Sequence, residues 1–525
     1  MKRNKNLVWT SIMFIPTLIL FFGCQKFLDR KPLTATLDDL NQGALEAQSL
    51  GLYNTLRDYA GFSTLPWIDF NSIRDDDAQK GSSTTDGAEI NAEFETFQYT
   101  KDDWATNTYW NDHYYMINLA NKELYYADSL KVTDEASLRN IGEAHFFRAY
   151  SYFELVKAYG EVPLIDFYYT NPADGLKPKA KVEDLYNLIV ADLDVAAQYL
   201  PLNWQLANGT NQYPGRLTKG AAHTLKAQVY AFRQDVAAGE KWTQVKNACD
   251  SVILSGQYQL ATKFTDIWKD GLDGDGKNGT ESIFEMQAYV GENGKNDKGT
   301  FWGTSQNVRQ GGASVEWNLG WGWNTPTDNL VKAWPDADPR KWQTVLFSGQ
   351  YDGGDSSGGY GATLPAYNPG VALDQPYWNK KVYSDPDVRK FTGQINSNGG
   401  ASWINHRILR YADVILMKAE AANELGDATT AAEMVNTIRA RARNGNDSRL
   451  PDVSPTDQAS MRTIIKNERR WEFAMEGYRF YDLVRWGDAI SALGSLGYTN
   501  RCRYYPIPQK AIDLSGGVLV QNPEW

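Results

Sequence analysis

The stretch NERRWEFAMEGYRFYDLVRW, residues 467–486, sets Glu468, Glu472 and Glu476 four residues apart. At helical spacing the three carboxylates share one stripe, where like charges repel by about a few tenths of a kcal/mol per pair unless cations intervene. Such a row is either a set of acid–base groups or structural glue. Arg469, Arg470 and Arg479 stand close enough in sequence to supply cations. Glu472, Arg469, Arg479, Asp482 and Arg485 can form i,i+3 pairs along two helical segments joined at Gly477, with Trp471, Phe473, Tyr478, Phe480, Tyr481 and Trp486 packed between them. The structural reading is preferred, because charged clusters are usually paired or solvated rather than catalytic.

A different chemistry is implied further upstream. Six of the 18 tryptophans fall between Trp302 and Trp342. Sugar rings present C–H faces that stack on indole, while their hydroxyls need Asn, Asp, Arg or Gln at the rim. Trp302, Trp317, Trp321 and Trp323 are the expected platforms, beside Asn307, Arg309, Asn318 and Asn324. Trp334 and Trp342, which flank the DADPR turn, are assigned to packing. So are Trp104 and Tyr109 in TKDDWATNTYWNDHYY, on helical spacing.

Metal and cofactor chemistry find little support. DGLDGDGKNGTE, residues 270–281, offers Asp270, Asp273, Asp275, Asn278 and Glu281 to a calcium ion, but Lys277 occupies the third ligand position counted from Asp273. No metal site is expected. The four histidines, His113, His145, His223 and His406, lack ligand spacing, and no G-x-S-x-G, Walker or dinucleotide fingerprint occurs, so no cofactor is expected either. A glycosidase pair cannot be singled out among so many carboxylates, because what decides it is their separation in space.

These residues need a frame, and helical periodicity provides one. EAHFFRAYSYFELVKAYG, KGAAHTLKAQVYAFRQD and RYADVILMKAEAANELGD are amphipathic. Aligning Lys226 with Lys418 also aligns Ala227 with Ala419 and Asp235 with Asp427, as in an internal repeat. Small alanines, a turn at Gly426 and Asp427, and a second helix carrying Ala431, Val435 and Ile438 resemble tetratricopeptide hairpins, although the copies are irregularly spaced. Ser454, Pro455 and Asp457 predict the N-terminus of the last long helix. Between 256 and 405 the composition shifts to Gly, Asn, Asp, Trp and Pro, which favours long loops, and long loops in compact proteins are usually functional.

With 525 residues and 42% hydrophobic content the chain is globular, and its net charge of -11 argues against nucleic acid as a partner. The first residues carry Lys2, Arg3 and Lys5, then an apolar run from Leu7 to Phe22, then Gly23 and Cys24. That order predicts an export signal over 1–23, with Cys24 as a lipidated first residue. Cys249 and Cys502 read as two isolated, buried thiols.

Cys24 followed by FLDRKP, the helix RYADVILMKAEAANELGD, the stretch NERRWEFAMEGYRFYDLVRWGD and the ending YPIPQKAIDLSGGVLVQNPEW together resemble the SusD/RagB family of outer-membrane nutrient-binding lipoproteins, from residue 24 to the last. The loop WGWNTPTDNLVKAWPDADPR is similar to a segment common in that family. The resemblance implies a tetratricopeptide-like helical protein, lipid-anchored on a Bacteroidota-type outer membrane and facing outward. It would cap a SusC-like TonB-dependent porin and pass oligosaccharides to it. It also implies that the ERRWEF and RFYDLVRW elements belong to the frame. The loop TLPWIDFNSIRDDDAQKG would face ligand, with Trp67, Arg74, Asp75 and Asp77 as contacts.

The expectation is thus a mainly α protein of helix hairpins carrying a loop-rich, Trp/Gly-rich insertion with little sheet. Its expected regions are 24–255, 256–405 and 406–525, forming one compact unit behind the signal 1–23. Its expected task is non-catalytic glycan capture. A hydrolase using a carboxylate pair and a tetratricopeptide-type protein scaffold are the alternatives.

Overall fold

The computed structural model describes residues 45–525 apart from 84–85, 87–88, 272–275, 296–297, 310–316, 355–357 and 395–399, and of 89–91 only the backbone. Cys24 and the signal segment lie outside the described residues.

Helices dominate. In the first half, α1 (Glu46–Asp58), α2 (Leu65–Asn71), α3 (Trp104–Leu130), α4 (Glu135–Tyr159), α5 (Val182–Tyr199), α6 (Lys219–Phe232) and α7 (Ala238–Leu254) follow one another. After the loop-rich stretch, which holds the short α8 (Trp302–Gln306) and α9 (Pro339–Thr344), come α10 (Tyr411–Glu424), α11 (Ala428–Arg443), α12 (Gln458–Phe473) and α13 (Arg479–Trp486). Helices α3 and α4, α6 and α7, and α10 and α11 pack as antiparallel hairpins, and α7 docks on α10 so that the two halves share one frame. Local chemistry sets the ends. Asp134 caps α4 by accepting from the Ser137 N–H, and Asp427 caps α11 through Thr430. One alanine from each of the three amphipathic stretches, Ala149, Ala227 and Ala419, has no exposed surface, and these small side chains let neighbouring helices approach. The repeat extends to the aligned lysines: Lys226 reaches Asp194 on α5 and Lys418 reaches Asp250 on α7.

Strand content is small. β1 (Ala78–Gly81) pairs antiparallel with β3 (Trp323–Pro326), β2 (Ser282–Met286) with β6 (His406–Arg410), and β4 (Val345–Phe347) with β5 (Tyr377–Asn379). Each pair clips part of the loop-rich segment to itself or to the frame. The main core is aromatic: Phe70 lies between Tyr109 and Tyr505, with ring centroids 4.1 and 3.8 Å away.

Two local expectations change. Helix α12 starts at Gln458 with Asp457 as its cap, accepting from Ala459 and Ser460, so Ser454 and Pro455 precede the helix. In the Glu468–Glu476 stripe the pairing is long-range. Arg340 meets Glu468 and Glu472; Arg410 meets Glu281, Glu472 and Glu476; Arg441 meets Glu281 and Glu472. Among the expected i,i+3 partners, Arg485–Asp482 forms at 2.8 Å, while Arg469 turns to Asp413 and Asp482 and Arg479 to Asp76. All three glutamates are buried and paired. Cys249 and Cys502 are free and buried.

Candidate functional site

The tryptophan-rich segment folds back on itself. Phe301 precedes the short helix α8, and the chain runs through Val308 to Arg309, which bridges antiparallel to Asn318. On the return the Trp321 N–H donates to the Thr304 carbonyl at 2.7 Å and that of Gly322 to the Asn307 carbonyl at 3.0 Å. Gly322 has φ +74°, and a Cβ there would stand 2.9 Å from the Arg309 Cβ, so both conformation and space require glycine. This hairpin lays Trp321 over Phe301 with ring centroids 5.2 Å apart and planes 19° from parallel. Phe301 is 38% exposed and Trp321 half-buried.

Polar groups flank the stack. β1 ends at Gly81 opposite Trp323, and the chain continues to Asp86, whose carboxylate accepts from Ser82 Oγ at 2.7 Å and forms an ion pair with Arg309. Both partners are partly exposed. Gln375 donates to the Ser82 carbonyl at 2.9 Å and holds this edge in place. A flat aromatic pair next to a neutralised Arg–Asp couple offers one stacking surface, together with donors and acceptors at its rim.

Several expected contacts lie inside instead. Trp302 stacks on His406 at 3.8 Å and meets Trp67 edge-on at 4.7 Å, all three buried. Burial, then the Arg407 charge, lowers the His406 pKa to about 3, so the imidazole in this stack is neutral. Trp317 belongs to a small core with Val308, Leu346 and Trp378, and Trp323 is buried beneath Trp321 at 5.4 Å. Asn324 is fully buried, with φ +55°; it accepts from Ser72 Oγ and donates to Gln306, each at 2.7 Å. Arg74 is fully buried between the rings of Phe480 and Tyr505 and donates to Tyr99 and to the Cys502 carbonyl. Asp75 accepts from the backbone of Asp77 and Ala78; burial, then the charges of Asp77 and Asp76, pushes its carboxyl well above the ordinary range. Asp77 is held by Arg470 at 3.0 Å. The four residues of this loop expected to meet ligand, Trp67, Arg74, Asp75 and Asp77, are thus buried and partnered within the protein.

Of the ten predicted contacts, Trp321 and Arg309 are the two that are partly exposed. Phe301 stacks on Trp321 and Asp86 pairs with Arg309; neither was singled out in the sequence. The available signal was the Phe301–Trp302 pair, because neighbouring side chains at a helix start diverge and one of the two rings must face outward. Trp334 packs on Trp471 as expected, whereas Trp342 is partly exposed beside Phe347, and Trp104 is 48% exposed. Tyr109 is buried and donates to Glu154 at 2.6 Å. In the segment read against calcium, Asp270 pairs with Arg407 and Glu281 with Arg410 and Arg441, while Asp273 and Asp275 lie outside the described residues. Among the described residues no cluster of metal-ligating side chains occurs, and no helix is long and apolar enough to cross a membrane.

The fold is thus a frame of helix hairpins carrying a loop-built aromatic face. The profile described as "SusD family" matches residues 267–501, and that described as "Starch-binding associating with outer membrane" matches residues 26–231. The chain belongs to the SusD/RagB family. A SusD-like protein of Formosa agariphila is 27% identical over 517 residues, 94% of each chain. One from Bacteroides ovatus is 25% identical over 90% of this chain and 82% of its own. Among solved structures, a laminarin binding SusD-like protein superposes with TM-score 0.70 at 25% identity, covering 92% of this chain and 99% of that one. Surface glycan-binding protein A from Bacteroides thetaiotaomicron, in complex with laminarihexaose, gives TM-score 0.73 at 23% identity, over 91% and 98%.

Proposed function

We propose that this protein captures oligosaccharides at the Phe301–Trp321 face and delivers them to a SusC-like TonB-dependent transporter in the outer membrane, to which Cys24 tethers it by lipid. The observation that carries this reading is the half-exposed ring stack beside the Arg309–Asp86 pair. Stacking supplies affinity without a deep pocket, which suits a protein that must release its cargo. The laminarin-binding and laminarihexaose-bound relatives support a glucan as cargo, and the outer-membrane description of the matching profile supports the location. Capture here is non-catalytic. The glutamate row that invited an acid–base reading is sealed in ion pairs, and the relatives are described as binding proteins.

Titration with laminarihexaose tests the site. Phe301→Ala and Trp321→Ala should each weaken binding by about fivefold, the effect of losing one aromatic contact of about 1 kcal/mol. Wild-type affinity in both variants would remove this face from consideration. Reducing sugar released from laminarin on long incubation, and lost on replacing one carboxylate, would instead establish a hydrolase. Delivery is tested by co-purification with the transporter from native membranes; recovery with a peptide ligand and no barrel would favour a protein scaffold.

A further inference from the structure

Elsewhere on the molecule, a cleft of ≈ 260 Å³ opens between the segment joining α5 to α6, the chain after α7 and the start of β2. Five side-chain amides line it: Asn203, Gln205, Asn211, Gln257 and Asn278. Trp204, Tyr258 and Phe284 add aromatic surface. None of these belongs to the Phe301–Trp321 face.

An amide offers two N–H donors and a carbonyl with two lone pairs, which matches the paired donor and acceptor character of sugar hydroxyls. The cleft is held in shape before any ligand arrives. Asn203 donates to Gln257 at 2.7 Å, Asn278 and Gln287 exchange two hydrogen bonds of 2.9 Å, and the Thr218 and Tyr258 hydroxyls meet at 2.6 Å. Gln205 and Asn211 are the exposed amides at its mouth.

Charge narrows the ligand class. Arg216 lines the cleft, yet all three of its nitrogens are engaged: Nε and Nη2 donate to Glu143 and Nη1 to Glu46. Two carboxylates face one guanidinium there, so its charge is already balanced and a phosphate, sulfate or uronate would meet their repulsion. The volume is just under the range of about 300–1,000 Å³ common for small-molecule sites, which fits one ring or a chain end better than a long chain.

The geometry points to a second saccharide site, in which the amide cleft binds a terminal ring of a neutral glycan independently of the Phe301–Trp321 face. Calorimetric titration of the full-length protein tests it. The probes are neutral mono- and disaccharides of glucose, galactose, mannose and xylose, with glucuronate as the anionic control. At least one neutral sugar should bind wild type and the Phe301→Ala/Trp321→Ala double variant alike, with glucuronate silent. Gln205→Ala/Asn211→Ala should weaken that binding by about tenfold, as two lost hydrogen bonds would. Two outcomes overturn the cleft: no neutral sugar bound by the Phe301→Ala/Trp321→Ala protein, or wild-type binding in Gln205→Ala/Asn211→Ala. Binding abolished by the ring variants alone sinks the cleft and leaves the aromatic face standing; the reverse pattern does the opposite.

Discussion

Arg410 and Glu472 meet at 2.8 Å with essentially no exposed surface, although 62 residues separate them. Arg410 lies on β6 and Glu472 on the last turn of α12, so the contact joins the sheet clip to the helical frame. Arg340 and Arg441 reach the same carboxylate from the loop segment and from α11. Three elements therefore converge on a glutamate carried by a fourth.

Removing that glutamate should cost more than any surface charge. Glu472→Ala leaves buried guanidinium groups short of a counter-ion, and breaking a buried pair costs about 3–5 kcal/mol. Chemical denaturation of the purified protein should show that loss; a change under about 1 kcal/mol would mean the arginines find other partners. Burial alone would raise the Glu472 pKa, but Arg441, Arg410 and Arg340 outweigh it and hold the carboxyl well below its usual range. A depressed carboxylate contributes stability above its unfolded pKa of about 4.3 and loses it as pH falls toward the folded value. The wild-type advantage over Glu472→Ala should accordingly be constant from pH 7 to 5 and shrink below about pH 4.

His406 acts in a higher window. With its pKa at about 3 in the fold, the unfolded chain takes up this proton near pH 6.5 and the folded protein does not. Stability therefore falls as pH drops below 6.5, by about 1.4 kcal/mol per unit from this group. His406→Phe keeps a ring against Trp302 and removes the proton site. Its stability relative to wild type should rise by about 2 kcal/mol between pH 7 and 5, and parallel pH profiles for the two proteins would contradict the assignment.

Trp302 and Trp321 should separate cleanly. Trp302→Ala empties a buried stack and should cost about 3–5 kcal/mol of stability, a range measured for large aromatic deletions in cores. Trp321→Ala should cost about 1 kcal/mol or less in stability while weakening oligosaccharide binding. Equal destabilisation by the two variants would show that Trp321 is also core.

Membrane attachment should depend on one thiol. Cys24→Ala should shift the protein from the outer-membrane fraction to the soluble fraction with its glycan affinity intact, and retention of the variant in the membrane would rule out the acyl anchor.

The helices were legible because their signal is local. Ala419, Ala431, Val435 and Ile438 repeat at helical spacing and Asp427 caps its own helix, so a short window of chain contains both cause and effect. The family likeness is equally a property of linear motifs. Burial is a different kind of quantity. Whether Arg74 meets solvent or the rings of Phe480 and Tyr505, more than 400 residues away, depends on where remote elements pack. So does the choice between Phe301 and Trp302 as the outward ring, which β6 decides by offering His406 to one of them. Sequence alone determined the helical chassis and the tryptophan-rich stretch that carries the aromatic face. Tertiary structure decided which side chains of that stretch reach water, because a ring or a charge goes inside only where distant residues supply its partners.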